Sequence, residues 1–200
     1  MEKTARGKVL EASTKLFAEK GLAGVSLPDV ARAASVEDYV VAELFPSDTN
    51  LYEAVLETQF GFYVSKMEAA FDGDAPPAEK VELFAKAMCH VHKEAPYFFP
   101  LFYRELLNPS PYFESIVKKN IRHVAYLSDN NIVKGIQKGT FRHEVNPANA
   151  TMVLAAMFHY YFLASRLAPS LLPEPGNDEE YFSQALKVFL TGLEKDNTGS

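Results

Sequence analysis

One cysteine in 200 residues leaves nothing for an internal disulfide to form between, so the chain is not a cross-linked scaffold. It also opens without the charged-then-apolar segment of a secretory signal, and the expectation is a cytoplasmic protein. No apolar run is long. The longest, Ala150 to Ala164, spans 15 residues, holds Thr151 and His159, and falls short of the roughly 20 residues that cross a bilayer. It reads as a buried helix. Basic charge is not in excess either: 20 Lys and Arg stand against 26 Asp and Glu, a net −6, so nothing global marks a nucleic-acid binder. Any contact with DNA has to come from local geometry.

The chemistry of an enzyme is equally hard to place. His90 and His92 are two residues apart and point to different faces of a helix, unlike the i, i+4 pair that shares a metal. There is no zinc spacing, phosphate-cradling glycine loop, nucleophile elbow, or kinase or dinucleotide fingerprint, and the carboxylates are scattered singly. Cys89, between Met88 and His90 inside a helix, reads as a buried structural thiol rather than a nucleophile. The expectation is a protein without catalytic residues, metal or cofactor.

What is present is 48% apolar residues, enough for a real core, set almost everywhere at helical spacing. From Lys3 to Lys20, Val9, Leu10, Leu16 and Phe17 recur on one face until Gly21 stops the pattern. Ser26 and Asp29 form a capping box before a short helix from Leu27 to Ala34, with Pro28 in its first turn. Ser35 with Asp38 predicts a cap for a third helix, which Pro46 ends after Phe45. Ser47 caps a long fourth helix to about Phe71, and Asp72-Gly-Asp-Ala-Pro-Pro marks the turn after it. Further helices are predicted from Glu79 to Lys93, from Pro96 to Leu107, from beyond Asn108-Pro-Ser-Pro to Lys138, from Pro147 to Leu167, and from Asp178 to Glu194. Residues 169 to 177, rich in Pro and Gly, make the last loop. The prediction is an all-α chain of about nine helices: a three-helix N-terminal head in residues 1–47 and a helical body in residues 48–200.

The spacing of the second and third helices is that of a helix-turn-helix, whose second member can lie in the major groove. The residues go further. Val9-Leu-Glu-Ala-Ser, Leu16-Phe-Ala-Glu-Lys-Gly21, Val25-Ser-Leu-Pro-Asp-Val-Ala31, Ala34-Ser-Val36, Phe45-Pro-Ser and Leu51 resemble the head of the TetR family of transcription regulators. Ile136-Gln-Lys-Gly-Thr-Phe-Arg and Ala185-Leu-Lys-Val-Phe-Leu-Thr-Gly carry a thinner resemblance into the body. It implies a homodimer that holds two heads about one DNA turn apart on a pseudo-palindromic operator, acting as a repressor and responding to a small-molecule effector. The candidate DNA-binding residues are Ser26, Leu27, Ser35, Glu37, Asp38, Tyr39, Val40, Glu43 and Ser47. Ser26 reads both as a phosphate contact at a helix N-terminus and as a cap alone.

Departures from the family pattern matter as much. Where this chain has Ser35, Glu37, Ala42, Leu44 and Asp48, the family would have Gly, Ser, Tyr, His or Tyr, and Lys. Residues 1–55 hold six Lys and Arg against nine Asp and Glu, a balance of −3. An acidic head loses the phosphate neutralisation that supplies nonspecific affinity, so it binds DNA weakly or through compensating base contacts. Glu37, Asp38 and Glu43 are acceptors suited to a cytosine N4 amine, or they are solvated surface; Tyr39 is the best single candidate for a base contact.

Aromatics crowd the body. Tyr63, His92, Tyr103, His123, Tyr126 and Asn130 are the candidate polar groups, and Phe84, Met88, Phe99 and Phe102 the candidate walls, of a site for an apolar or aromatic effector. The eighth helix is apolar nearly all round, so a partner is expected to cover one side of it. Met157, Tyr160, Tyr161, Ala164, Phe182, Leu186, Phe189 and Leu193 are the candidate dimer residues. The competing expectation is a TetR-like ligand-binding or protein-interaction dimer with weakened DNA binding, and behind it an enzyme with a helical cavity.

Overall fold

The structure is a computed structural model that describes residues 4–172 and 178–195. Lys3, where the first helix is expected to open, and residues 173–177 of the last expected loop lie outside them. Nine α-helices run through the described residues: α1 (Ala5–Lys20), α2 (Leu27–Ala34), α3 (Asp38–Leu44), α4 (Asp48–Phe71), α5 (Pro77–Glu94), α6 (Phe98–Leu107), α7 (Lys119–Gln137), α8 (Pro147–Leu167) and α9 (Asp178–Leu193). They contain no strand, and one isolated bridge pairs Phe141 with Glu194.

Most helix ends follow from their caps. Thr4 accepts the Gly7 N–H at 3.2 Å to start α1. Ser26 and Asp29 form the expected reciprocal box, each accepting the other's backbone N–H. Ser47 accepts the Asn50 N–H at 3.1 Å at the head of α4. Ser35 departs from expectation. It does not cap α3, whose N-cap is Glu37 with no side-chain hydrogen bond; it closes α2 in the left-handed region at φ 54°, ψ 49°. The chain has to turn sharply between two packed helices, and a left-handed residue is how it does so. That conformation suits glycine and is strained for serine, which gives a physical reason for the glycine of the family pattern.

Two other boundaries shift. α6 opens at Phe98 rather than Pro96, which leaves Pro100 in its first turn, where a missing N–H has no helical partner to lose. The helix expected to run unbroken to Lys138 begins instead with wider π-type turns over Phe113–Lys118 before α7.

The helices gather into two compact units, residues 1–63 with 95–120 and residues 64–94 with 121–200. The boundary expected after residue 47 falls inside the first unit. The reason is α6. Arg104 donates from Nε to the Ala18 carbonyl at 2.9 Å and from a terminal nitrogen to that of Glu19, both at the C-terminus of α1. Its neighbour Glu105, 1% exposed, accepts the Tyr52 hydroxyl of α4 at 2.6 Å and both the N–H and the hydroxyl of Ser110. Phe17 meets the Tyr52 ring edge-on at 4.8 Å. Three helices of the head, the first half of α4, and α6 thus share one core.

In the second unit, Phe158 and Phe182 stack at 4.8 Å, with Phe84, Tyr161 and Phe162 around them. The turn after α7 is pinned to the end of α9 by Arg142 N–H to Leu193 O at 2.9 Å and Lys195 N–H to Thr140 O at 3.2 Å. Phe141, 1% exposed, lies flat against Gly135 of α7, where a Cβ would come within 2.0 Å of its ring. Gly135→Ala is expected to destabilise the chain by about 3 kcal/mol through this overpacking, read as a lower midpoint in chemical denaturation.

Candidate functional site

In the first unit α2 and α3 bury Val30, Ala31, Ala34 and Val41 against the head's core, with Phe45 beneath them. Their other faces are open. Ser26, Ser35, Glu37, Asp38, Tyr39 and Glu43 are exposed, Tyr39 at 70%, while Leu27, Val40 and Ser47 are half-buried. The candidate DNA-binding residues therefore lie on or at the edge of accessible surface, and α3 offers its length outward.

Their hydrogen bonds say which groups are spare. The Ser26 hydroxyl donates to Asp29 Oδ2 at 2.6 Å while accepting the Asp29 N–H, so a phosphate there would compete with the cap. Those bonds, the hydroxyl first and the Ser26 N–H second, hold the Asp29 carboxyl below its ordinary pKa. Ser47 is engaged with Thr49 and Asn50 in the first turn of α4. Arg32 pairs with Asp29 at 3.4 Å, and the Arg6 guanidinium lies 5.1 Å from the centre of the Phe45 ring. No lysine or arginine occurs between Arg32 and Lys66, a stretch that includes all of α3 and the turn after it. The outward face of α3 is thus acceptors plus one tyrosine.

The ten candidate effector residues are divided between the two units. In the first unit Tyr63, Phe99, Phe102 and Tyr103 share an aromatic cluster with Phe60 and Phe98, where Tyr63 stacks on Phe98 at 4.7 Å. Burial alone pushes the Tyr63 hydroxyl up from its usual pKa, and Gln59 Oε1, one turn earlier on α4, is buried with no donor among the described residues. In the second unit Phe84 and Met88 are core, and His92 stacks on Phe162 at 4.1 Å, its pKa drawn down by burial. His123 and Tyr126 are exposed. His123 Nε2 is 2.8 Å from Glu68, and Asn130 is half-buried.

The candidate dimer residues are placed unevenly too. Tyr161, Ala164, Phe182, Phe189 and Leu193 are buried within their own unit, Met157 and Leu186 are half-buried, and only Tyr160 is open, at 58%. What α8 exposes is a different stripe: Val153, Ala156, Tyr160, Leu163 and Leu167, spaced three and four residues apart. That spacing was present in the apolar run but could not be separated from the buried positions beside it, since the helix is apolar on every side. Arg104 and Glu105 carried a fainter signal, two adjacent charges inside the apolar helix Phe98–Leu107.

No group of His, Cys, Asp and Glu among the described residues could hold a metal ion, and no described helix is long and apolar enough to cross a membrane.

Residues 9–55 match the family model of bacterial regulatory proteins, tetR family. No curated protein sequence matches the chain. Among solved structures it is similar to the ketosteroid transcriptional regulator KstR2 of Mycobacterium tuberculosis, with 19% identity, TM-score 0.78 and 98% of each chain covered. It is similar to the TetR family regulator PfmR from Thermus thermophilus, with 23% identity, TM-score 0.78, and 97% of this chain and 100% of that one covered. It is also similar to SmeT, the repressor of the Stenotrophomonas maltophilia multidrug efflux pump SmeDEF, with 17% identity, TM-score 0.72, and 100% and 94% covered. At these identities the likeness establishes the fold.

Proposed function

We propose that this chain, whose head belongs to the tetR family of bacterial regulatory proteins, is a cytoplasmic transcriptional regulator that binds a pseudo-palindromic operator as a homodimer. Its effect on transcription is repression, lifted or altered by a small apolar or aromatic effector. The DNA-binding segment is residues 1–47, and the body from residue 48 senses and dimerises. The observation that carries the reading is the family-matched α2–α3 pair with the whole outward face of α3 open, Tyr39 foremost.

Electrostatics shape how that contact works. With Glu37, Asp38 and Glu43 outward and no cation on α3, little phosphate neutralisation comes from the reading helix itself. Affinity then rests on base contacts, on cations elsewhere in the head, and on two heads binding together. The same feature favours a second reading: a ligand-binding or protein-interaction dimer that keeps the head's fold with weakened DNA affinity.

Dimerisation is supported by the exposed stripe on α8. Five apolar side chains at three- and four-residue spacing form a seam of the kind that packs against another helix, and Met152 and Val188 extend it. The effector reading is supported by the aromatic cluster of the first unit, where Tyr63 and the orphaned Gln59 carbonyl lie one turn apart on α4. A molecule with an apolar body and one hydrogen-bond donor suits that environment.

A low-salt gel shift against DNA from upstream of the coding sequence separates the two readings. A specific shift is expected, and Tyr39→Ala should weaken it by roughly 10- to 100-fold while leaving nonspecific binding nearly unchanged. No shift with any fragment, with or without ligand pools, would leave only the second reading. Light scattering at micromolar concentration should report a dimer that Leu163→Glu converts to monomer; a monomeric wild type defeats the dimer reading. In a thermal-shift screen, apolar or aromatic compounds should raise the melting temperature. Stabilisation by hydrophilic charged compounds alone would refute the effector class.

A further inference from the structure

A groove of about 790 Å³ lies between α5 and α9 in the second unit. The two helices run antiparallel along it. Lys93, near the end of α5, meets Glu179, in the first turn of α9, at 3.7 Å, while Glu82 and Glu194 from the opposite ends of those helices line its far end. The floor is apolar: Ala85 and Phe182 are buried, and Leu186, Leu190 and Cys89 are half-buried. None of the residues expected to hold the effector or to touch DNA lines it.

Charge is unevenly spread over the walls. Lys93 is paired with Glu179. Lys86 and Lys187 line the middle of the groove with no acidic partner within 4.0 Å among the described residues. They stand at similar heights, seven residues from Lys93 on one helix and eight from Glu179 on the other, or about 10–12 Å at 1.5 Å per residue. Beyond them Glu82 and Glu194 would repel an anion, so the groove has a direction: acidic end, the two ammoniums of Lys86 and Lys187, then an apolar floor with the Lys93–Glu179 ion pair at its other end. An apolar body with one anionic end is the complement of that arrangement, and a lysine ammonium is a good partner for a carboxylate.

The geometry points to a binding site for an amphipathic carboxylate of medium chain length, its headgroup between Lys86 and Lys187 and its tail over Cys89 and Phe182 toward Lys93. The site goes beyond the regulator reading and stands whether or not α3 binds DNA. It lies on the α5 side of α9. Val188 and Gly192, with Val153 and Met157, line a separate shallow groove on the α8 side of α9.

Cys89 makes the test direct, because it is the sole thiol of the chain and lies in the groove. Burial raises its pKa to about 11, so alkylation at pH 8 is slow enough to follow by mass spectrometry. The full-length chain is treated with iodoacetamide alone, or with decanoate, decanol or decylamine at equal concentrations below micelle formation. Decanoate at about four times its Kd should slow alkylation about fivefold, with decanol and decylamine protecting much less. Lys86→Glu with Lys187→Glu, both at exposed positions, should abolish protection by decanoate and confer it on decylamine, with circular dichroism confirming the fold. Equal protection by decanol, no protection by any probe, or decanoate protection that survives charge reversal would each overturn the proposal.

Discussion

The first unit depends on a pair of adjacent charges on α6. Arg104 closes the C-terminus of α1, where unsatisfied carbonyls and the helix dipole both favour a cation. Glu105 is a buried carboxylate whose cost is offset by three donors, the Tyr52 hydroxyl and two from Ser110. Burial and that bond push the tyrosine hydroxyl up, so it remains a donor at every physiological pH. Gly21 completes the arrangement. It turns the chain out of α1 at φ 75°, and a Cβ there would come within 3.0 Å of the Arg104 guanidinium.

This clamp joins the three head helices to α4 and α6 in one compact unit. A head of 47 residues buries too little apolar surface to be comfortably stable, and the first half of α4 with α6 supplies the missing core. It also bears on the proposed regulation. Phe98 and Phe102, in the aromatic cluster assigned to the effector, sit on the same short helix as Arg104 and Glu105. In that proposal, a ligand that displaced those rings would act on the same helix whose Arg104 and Glu105 bond to α1 and α4.

The two flanks of α9 present different surfaces. On one, Val188 and Gly192 continue the exposed apolar surface of α8; on the other, Leu186, Lys187 and Leu190 face α5 across the groove. Tyr161, Phe182 and Leu193, expected at a partner, are buried within the second unit itself. Phe158, Tyr161, Phe162 and Phe182 pack on one another there.

Local rules made much of the molecule legible. The caps at Ser26 and Ser47, the stop at Gly21 and the runs of α2 and α8 follow from hydrogen bonding and periodicity within a few residues, and the structure places them as expected. So does the lack of cations on α3, since charge is a property of the residues alone. Long-range packing decided the rest. Ser35 became the end of α2 because the turn between packed helices needs a left-handed residue there. Which side of the all-apolar α8 faces outward, which charges on α6 find partners 50 to 90 residues away, and the opening of a groove between α5 and α9 depend on contacts that sequence spacing does not encode.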